Sequence, residues 1–496
     1  MIEVENALCR VGRHAVLKVP RFSLHPGEHW CLYGPNGAGK TVLANLLVGK
    51  RTESGSCVRY GRGFDPSRHC LFVSFEEQQK VWARDYRMDM SEYSDDAMDK
   101  GTLVSSLISS ARVSGNQDLY VMENLIERLD IVRLLDKGIR FLSSGQIRRV
   151  LIARALYAAS ATRARLLVLD DPLEAIDKES CQRIVDCIGQ QQSMGYASLL
   201  LCRRQQDILS GVTHLALMQD LKILEQGERD AVLSGSTYSR LISRKPTLAD
   251  SLPPAPAGSV SPTSTEQLIE LDGVNVDYGE QPILRNICWV MTGADHVLIE
   301  GPNGCGKSTL LSLIDGENHK GYGQPLILFG HRKGSGETIW DIKSHFGVVS
   351  NELHNKYIKG WKVLDVVVSG FFNSVGLYDD SCYTQRDAAR LWLEALGIKN
   401  LDKNYYHELS FGEQRLTLLA RAMVKHPSIL VLDEPCVGLD DYHRKLILGT
   451  LDLIASQTHT RIIYVSHVSD EQPDCITQYL RFVPSPGGGH TVVQQQ

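Results

Sequence analysis

A chain of 496 residues is longer than one hydrophobic core usually organises, so two domains are expected. Apolar residues at 43% and charged residues at 22% exclude a wholly disordered, collagenous or fibrous chain. The 53 basic and 58 acidic residues include no long basic tract, so bulk charge does not hold this chain on nucleic acid, and no run of about 18 apolar residues offers a bilayer-spanning helix. The opening Met1-Ile2-Glu3-Val4-Glu5-Asn6 lacks a basic region followed by an apolar one, which makes the cytoplasm the expected location. Twelve cysteines without a Cys-x-x-Cys pair read as reduced, buried thiols.

Along the chain, a strand-like run, Trp30-Cys31-Leu32-Tyr33, feeds a Gly-rich turn, Gly34-Pro35-Asn36-Gly37-Ala38-Gly39-Lys40-Thr41, which leads into a helix-like apolar segment. Next comes Leu142-Ser143-Ser144-Gly145-Gln146, followed at helical spacing by the apolar Ile147, Val150 and Leu151. The strand-like Leu166-Leu167-Val168-Leu169 then ends in Asp170-Asp171-Pro172. A Pro/Ser/Thr-rich stretch near 246–266 reads as an extended, solvated linker. Beyond it the same landmarks return in the same order and at nearly the same spacing. His296-Val297-Leu298-Ile299 precedes Gly301-Pro302-Asn303-Gly304-Cys305-Gly306-Lys307-Ser308; then come Leu409-Ser410-Phe411-Gly412-Glu413-Gln414 and Ile429-Leu430-Val431-Leu432-Asp433-Glu434-Pro435. The sequence therefore predicts two α/β domains, 1–245 and 267–496, each with a mainly parallel sheet.

The chemistry follows from these residue types. Gly-x-x-x-x-Gly-Lys-Ser/Thr between strand and helix is a phosphate cradle: glycines let backbone N–H groups turn toward the anion, and the helix N-terminus adds a favourable dipole. Lys40 and Lys307 reach the β- and γ-phosphates, while the hydroxyls of Thr41 and Ser308 suit Mg²⁺. Asp170 and Asp433, at the tips of buried strands, bring a carboxylate to the same metal. Glu434 is placed to orient a water and take its proton. Asp171 holds the same position with one methylene fewer, and because a displacement of about 1 Å can cost about 10²-fold in rate, the first copy is expected to hydrolyse poorly.

This set of motifs resembles ATP-binding cassette domains across almost the whole chain: a Walker A loop, a Leu-Ser-x-Gly signature and an apolar strand ending Asp-Glu-Pro. The resemblance implies a parallel sheet core with an antiparallel β part and a helical subdomain carrying the signature. It also implies cassettes that face each other head to tail, here within one polypeptide, with each ATP between one Walker A and the other signature. The second site then joins Gly301, Asn303, Gly304, Gly306, Lys307, Ser308, Thr309, Asp433 and Glu434 to Ser143, Ser144, Gly145 and Gln146. His467, after the strand-like Ile462-Ile463-Tyr464, fits the switch histidine that contacts the γ-phosphate, and Tyr278 fits the adenine-stacking aromatic. The first site joins Gly34, Asn36, Gly37, Gly39, Lys40, Thr41, Asp170 and Asp171 to Ser410, Phe411, Gly412, Glu413 and Gln414. It departs from the pattern at Asp171, at Val42 where the second copy has Thr309, at Cys202-Arg203-Arg204 which offers no histidine, at Val11 in place of the aromatic, and at Phe411 and Glu413 in its signature. The expected glutamine of the Q-loop is absent from both copies: Phe75 and Asn351 occupy its place, with Glu76, Glu352, Gln78 and Gln79 as substitutes nearby.

The segment Gly334–Lys343 with Gly347–His354 is similar to ModF-type tandem cassettes, described as molybdenum-transport or photorepair ATP-binding proteins. His331, Arg332 and Lys333 ahead of it can meet an anion or an acidic partner. The resemblance implies an Mg-dependent ATPase that energises a separate transmembrane permease, peripheral at the inner face of the membrane. A soluble ATPase acting on nucleic acid, repair or ribosomal complexes is the alternative, disfavoured in its ribosomal form by the Pro/Ser linker and one degraded site. An ATP-dependent regulator is the third reading.

Overall fold

The structure, a computed structural model, describes residues 2–11, 15–50, 57–74, 81, 85, 101–111, 119–162, 165–174, 176, 178–193, 195–255, 263–279, 281–302, 304–357, 360–466 and 472–495. The chain divides into two compact units, Met1–Arg244 and Lys245–Gln496.

In the first unit the described strands are β1 (Ile2–Val11), β2 (Ala15–Leu24), β3 (His29–Tyr33), β4 (Cys57–Tyr60), β5 (Cys70–Val73), β6 (Leu166–Asp170), β7 (Ala197–Cys202), β8 (His214–Gln219) and β9 (Lys222–Glu228). They form one sheet in the order β4-β1-β2-β9-β8-β3-β7-β6-β5. The block β8-β3-β7-β6-β5 is parallel, whereas β1 pairs antiparallel with both β2 and β4. Composition explains the split. Leu166–Leu169 and Ala197–Cys202 are buried on both faces and so must lie between two helical layers, while β1 and β2 interleave buried and exposed residues and cover one side of the core.

Strand alternation sends successive residues to opposite layers. Val168, Leu199 and Leu201 pack with Leu32, Leu43 and Leu47 beneath the helix that follows the Gly-rich turn. Leu167, Leu169 and Leu200 pack with Ile108, Leu125, Ile147 and Leu151 beneath the helix Ser144–Thr162. Truncating one such leucine to alanine costs about 2–5 kcal/mol.

The second unit repeats the plan with β10 (Gln267–Tyr278), β11 (Gln281–Thr292), β12 (Val297–Glu300), β13 (Leu326–Leu328), β14 (His331–Arg332), β15 (Phe346–Val349), β16 (Ile429–Asp433), β17 (Arg461–Ser466), β18 (Gln478–Pro484) and β19 (His490–Gln495). The order is β14-β13-β10-β11-β19-β18-β12-β17-β16-β15, the first sheet with one added edge strand. The same two-sided sorting recurs: Val431, Ile463 and Val465 face one core, Leu430, Leu432, Ile462 and Tyr464 the other.

The stretch expected as solvated linker is not uniform. Leu252 packs on the second unit's core and its N–H donates to Gln457 Oε1 at 3.0 Å, and Leu248 lies over Gly449, where a Cβ would meet it at 2.8 Å. Residues 256–262 fall outside the described residues. Among the described residues no helix is long and apolar enough to cross a membrane.

Candidate active site

In each unit a central buried strand, β3 or β12, runs into the Gly-rich turn and then into a helix, Lys40–Leu47 or Lys307–Ile314. Gly39 (φ 94°) and Gly306 (φ 104°) sit at the helix entrances in the left-handed region, which turns the loop's N–H groups inward. A side chain at Gly34 would strike the Met218 carbonyl oxygen at 2.0 Å, so the backbone approach there admits only glycine. The lysines curl over this loop: Lys40 Nζ donates to the carbonyls of Gly34 (2.7 Å) and Pro35 (2.9 Å), and Lys307 Nζ to those of Gly301 (2.7 Å) and Pro302 (3.0 Å). Both are 7% exposed, which holds two buried ammonium groups at the mouths of two anion cradles. Asn36 and Gly37 lie in the first loop and Gly304 in the second; Asn303 lies outside the described residues.

The strands β6 and β16 end beside these loops. Thr41 Oγ1 donates to Asp170 Oδ2 at 3.1 Å, joining the two oxygen donors that sequence assigns to a metal in the first unit. In the second unit Ser308 and Asp433 line one cavity of about 310 Å³. A hydroxyl and a carboxylate fit Mg²⁺, which keeps several waters and takes its other ligands from phosphate oxygens. Burial and the neighbouring Asp171 push the Asp170 carboxyl up, against the opposing pull of Arg203, Lys40 and the Thr41 hydroxyl.

The next residue adopts the same backbone in both units. Asp171 (φ 45°) and Glu434 (φ 50°) are left-handed, and their N–H groups donate to Leu201 O and Val465 O, both at 3.0 Å. Such strain persists only where the surroundings impose it, and here it turns the side chain out of the strand at its tip.

Their surroundings differ. Arg203 Nη2 donates to Asp171 Oδ2 at 2.6 Å and to Glu174 Oε2 at 2.9 Å. Arg148 Nη1 donates to the Asp171 carbonyl and lies 3.4 Å from Glu174 Oε2. All four side chains are 12% exposed or less. Burial alone would raise the Asp171 carboxyl, but the Arg203 charge and hydrogen bond, with Lys40 and Arg148, hold it below the usual carboxylate range. Asp171 Oδ1 is buried without a hydrogen-bond partner among the described residues.

The second unit has Val437 in the place of Glu174 and His467 in the place of Arg203. The correspondence is fixed by the pairing of Tyr33 with Cys202 and of Glu300 with Ser466. His467 lies outside the described residues. Arg415, the counterpart of Arg148, bonds Ser350 O at 3.1 Å and the Asn351 side chain. Asn351, in the glutamine's expected place, is thus engaged by that arginine. Glu352 pairs with Lys356 at 2.7 Å and lines the same cavity as Ser308 and Asp433, while Phe75, Glu76, Gln78 and Gln79 lie outside the described residues.

Both signatures open a helix. Ser143 and Gln146 cap each other reciprocally (3.1 and 3.3 Å) at the start of Ser144–Thr162, where Gly145 follows Ser144. Ser410 and Glu413 form the same box ahead of Phe411–Met423, and there the Ser410 hydroxyl donates to the Glu413 carboxylate at 2.7 Å. Gly412 packs against His443, whose ring a Cβ would meet at 2.4 Å. Tyr278 closes the β10–β11 hairpin, 47% exposed as a residue, with its hydroxyl accepting from Asn318 Nδ2 at 2.9 Å. That hairpin continues into Ile283 and Leu284, which pack on Gly306. Lys333, read as a possible anion contact, is 5% exposed, with its ammonium over the Tyr322 ring.

Sequence reasoning missed the Arg203 cluster, having noted at that position only the lack of a histidine. The available signal was the paired exchange of Glu174 for Val437 and Arg203 for His467 between the two halves.

Two doubly wound sheets, each ending a central strand in a phosphate cradle beside paired acidic residues, define a tandem P-loop ATPase of the ATP-binding cassette class. The ABC transporter family model matches residues 17–174 and 284–437, and the chain belongs to that family; it is an ATPase that binds ATP. It is 34% identical over 493 residues to the ABC transporter ATP-binding protein ModF of Escherichia coli K12, spanning 98% of this chain and 97% of that one. An uncharacterized ABC transporter ATP-binding protein of Schizosaccharomyces pombe is 26% identical over 485 residues, 96% of each chain. Among solved structures, RNase-L Inhibitor aligns with a TM-score of 0.57 at 17% identity, over 99% of this chain and 90% of that one, which is a likeness of fold.

Proposed function

We propose that this chain is an Mg-dependent tandem ATPase whose two cassettes close on ATP head to tail, and that the site built on Gly301–Thr309 performs the hydrolysis. The observation that carries this reading is the contrast at one backbone position: Asp171 is buried and paired with Arg203, whereas Glu434 has a valine in place of the second carboxylate.

In the active site Lys307 and the Gly304–Gly306 amides hold the β- and γ-phosphates. Glu434 orients the attacking water and accepts its proton, His467 contacts the γ-phosphate and Tyr278 stacks on the adenine. Ser308 and Asp433 would hold Mg²⁺, which when bound neutralises developing charge on the phosphate oxygens. Ser143, Gly145 and Gln146 close the site from the other cassette with a neutral helix N-terminus. In the opposite site, Thr41 and Asp170 would hold the metal, and Ser410, Gly412 and Glu413 approach the phosphates with an added negative charge. That charge opposes the anion and further favours the division into a working site and a holding site.

The cellular role we propose is to drive a separate membrane permease from the cytoplasmic face. Its support is the full-length similarity to an ABC transporter ATP-binding protein. The ModF-type resemblance makes molybdate the first solute to test. The test uses Glu434→Gln as bait in a lysate with ATP and Mg²⁺. An integral membrane protein that co-purifies, and is lost when Lys307→Ala is added, upholds the role; recovery of only soluble complexes or nucleic acid removes the transport assignment.

A further inference from the structure

The cluster Arg148, Arg203, Asp171 and Glu174 holds two cations and two anions in a nearly solvent-free space at the end of β6. The unlike contacts run from 2.6 to 3.4 Å. Each charged group in it is answered by an opposite one, which is the condition under which buried ions are tolerated. The second unit lacks this arrangement, since Val437 and His467 replace one anion and one cation together. The arginine at position 203 is matched by a carboxylate at position 174, three residues after Asp171, so the two differences between the units compensate in charge.

We propose that Arg203 is a positioning residue that withholds Asp171 from the attacking water by an ion pair closed through Glu174, so that the first site retains ATP unhydrolysed. The inference rests on the division of sites proposed above and names its device. One Asp171 oxygen is committed to the guanidinium, and the shared contact with Glu174 keeps Arg203 turned toward it. A longer side chain at position 171 would meet the same guanidinium. The shortfall of one methylene is therefore the smaller part of the brake.

The test is made in the full chain carrying Glu434→Gln, so that the second site is silent. Phosphate release and ATP retained per chain are measured with Asp171→Glu added alone and with the triple change Asp171→Glu, Glu174→Val and Arg203→His. The triple change keeps the cluster neutral, because Arg148 then answers one carboxylate. It is expected to raise turnover at least tenfold over the Glu434→Gln parent while ATP retention at equilibrium is kept. Asp171→Glu alone is expected to give at least fivefold less than that. Equal gains from the single and triple changes overturn the inference, as does a triple variant that binds ATP and gains nothing. Should the triple variant not fold, the pair Asp171→Glu with Arg203→His, where Arg148 still faces Glu174, decides on the same criteria. Full turnover in Glu434→Gln itself overturns the division of sites and the inference with it.

Discussion

Replacing Arg203 with alanine tests the buried cluster through stability. The change strands Asp171, 7% exposed, whose other arginine contact among the described residues runs from its main-chain carbonyl to Arg148. Glu174 keeps Arg148 at 3.4 Å, so one of the two carboxylates retains a counter-charge. Breaking a buried pair typically costs about 3–5 kcal/mol. With one carboxylate still paired, the lower end applies, about 3 kcal/mol, or a fall of roughly 6–12 °C in the melting transition of the first unit at about 2–4 °C per kcal/mol. The pH dependence adds a second check. Arg203 holds Asp171 below its ordinary value, so the native contribution is complete above about pH 4 and is lost only as pH falls through the depressed folded value. Without Arg203, burial raises the same carboxyl and the charged form becomes a liability at neutral pH that acid relieves. The gap between variant and parent should therefore narrow between pH 8 and pH 5 in calorimetry. A shift under 2 °C, or a gap that widens on acidification, would refute the ion-pair reasoning.

Three further outcomes are expected. Glu434→Gln should lower phosphate release by about 10²-fold or more, the usual worth of a general base, with ATP binding retained in an equilibrium titration. Gly306→Ala should cost about 1–3 kcal/mol of local strain, since its φ is 104° and the new Cβ would lie 2.7 Å from Leu284 and 3.0 Å from Ile283; a fluorescent-nucleotide titration should show at least tenfold weaker binding at the second site. Glu413→Gln should change stability by less than about 0.5 kcal/mol, because Gln146 caps the equivalent helix, yet lengthen ATP retention at the first site on the order of threefold at low salt, an effect that added salt should erase.

The elements that carry the phosphate cradles were legible because their chemistry is local. A glycine at a left-handed φ, a lysine at the helix start and an apolar run ending in aspartate each follow from a few consecutive residues, as at Gly39, Lys40 and Leu166–Asp170. The pairing of Arg203 with Asp171 was not legible in that way, since it joins the residues that follow two strands and requires knowing that Leu201 and Asp170 are register partners. Composition read residues 246–255 as solvated, and they carry no helix or strand and are largely exposed; what it did not show is that Leu252 packs on the second unit's core and that Leu248 touches Gly449, partners that lie far along the sequence. Asn351 illustrates the same limit, because its engagement by Arg415 depends on a helix that starts some sixty residues later.

The left-handed backbone shared by Asp171 and Glu434 bears on stoichiometry. A chain that keeps the full scaffold of a hydrolytic site but ties off its carboxylate would carry two nucleotide pools, one consumed in each cycle and one resident through many. The fuel cost of a cycle would then be one ATP rather than two, and the resident molecule would count as a structural component whose departure, not its cleavage, ends a run of cycles.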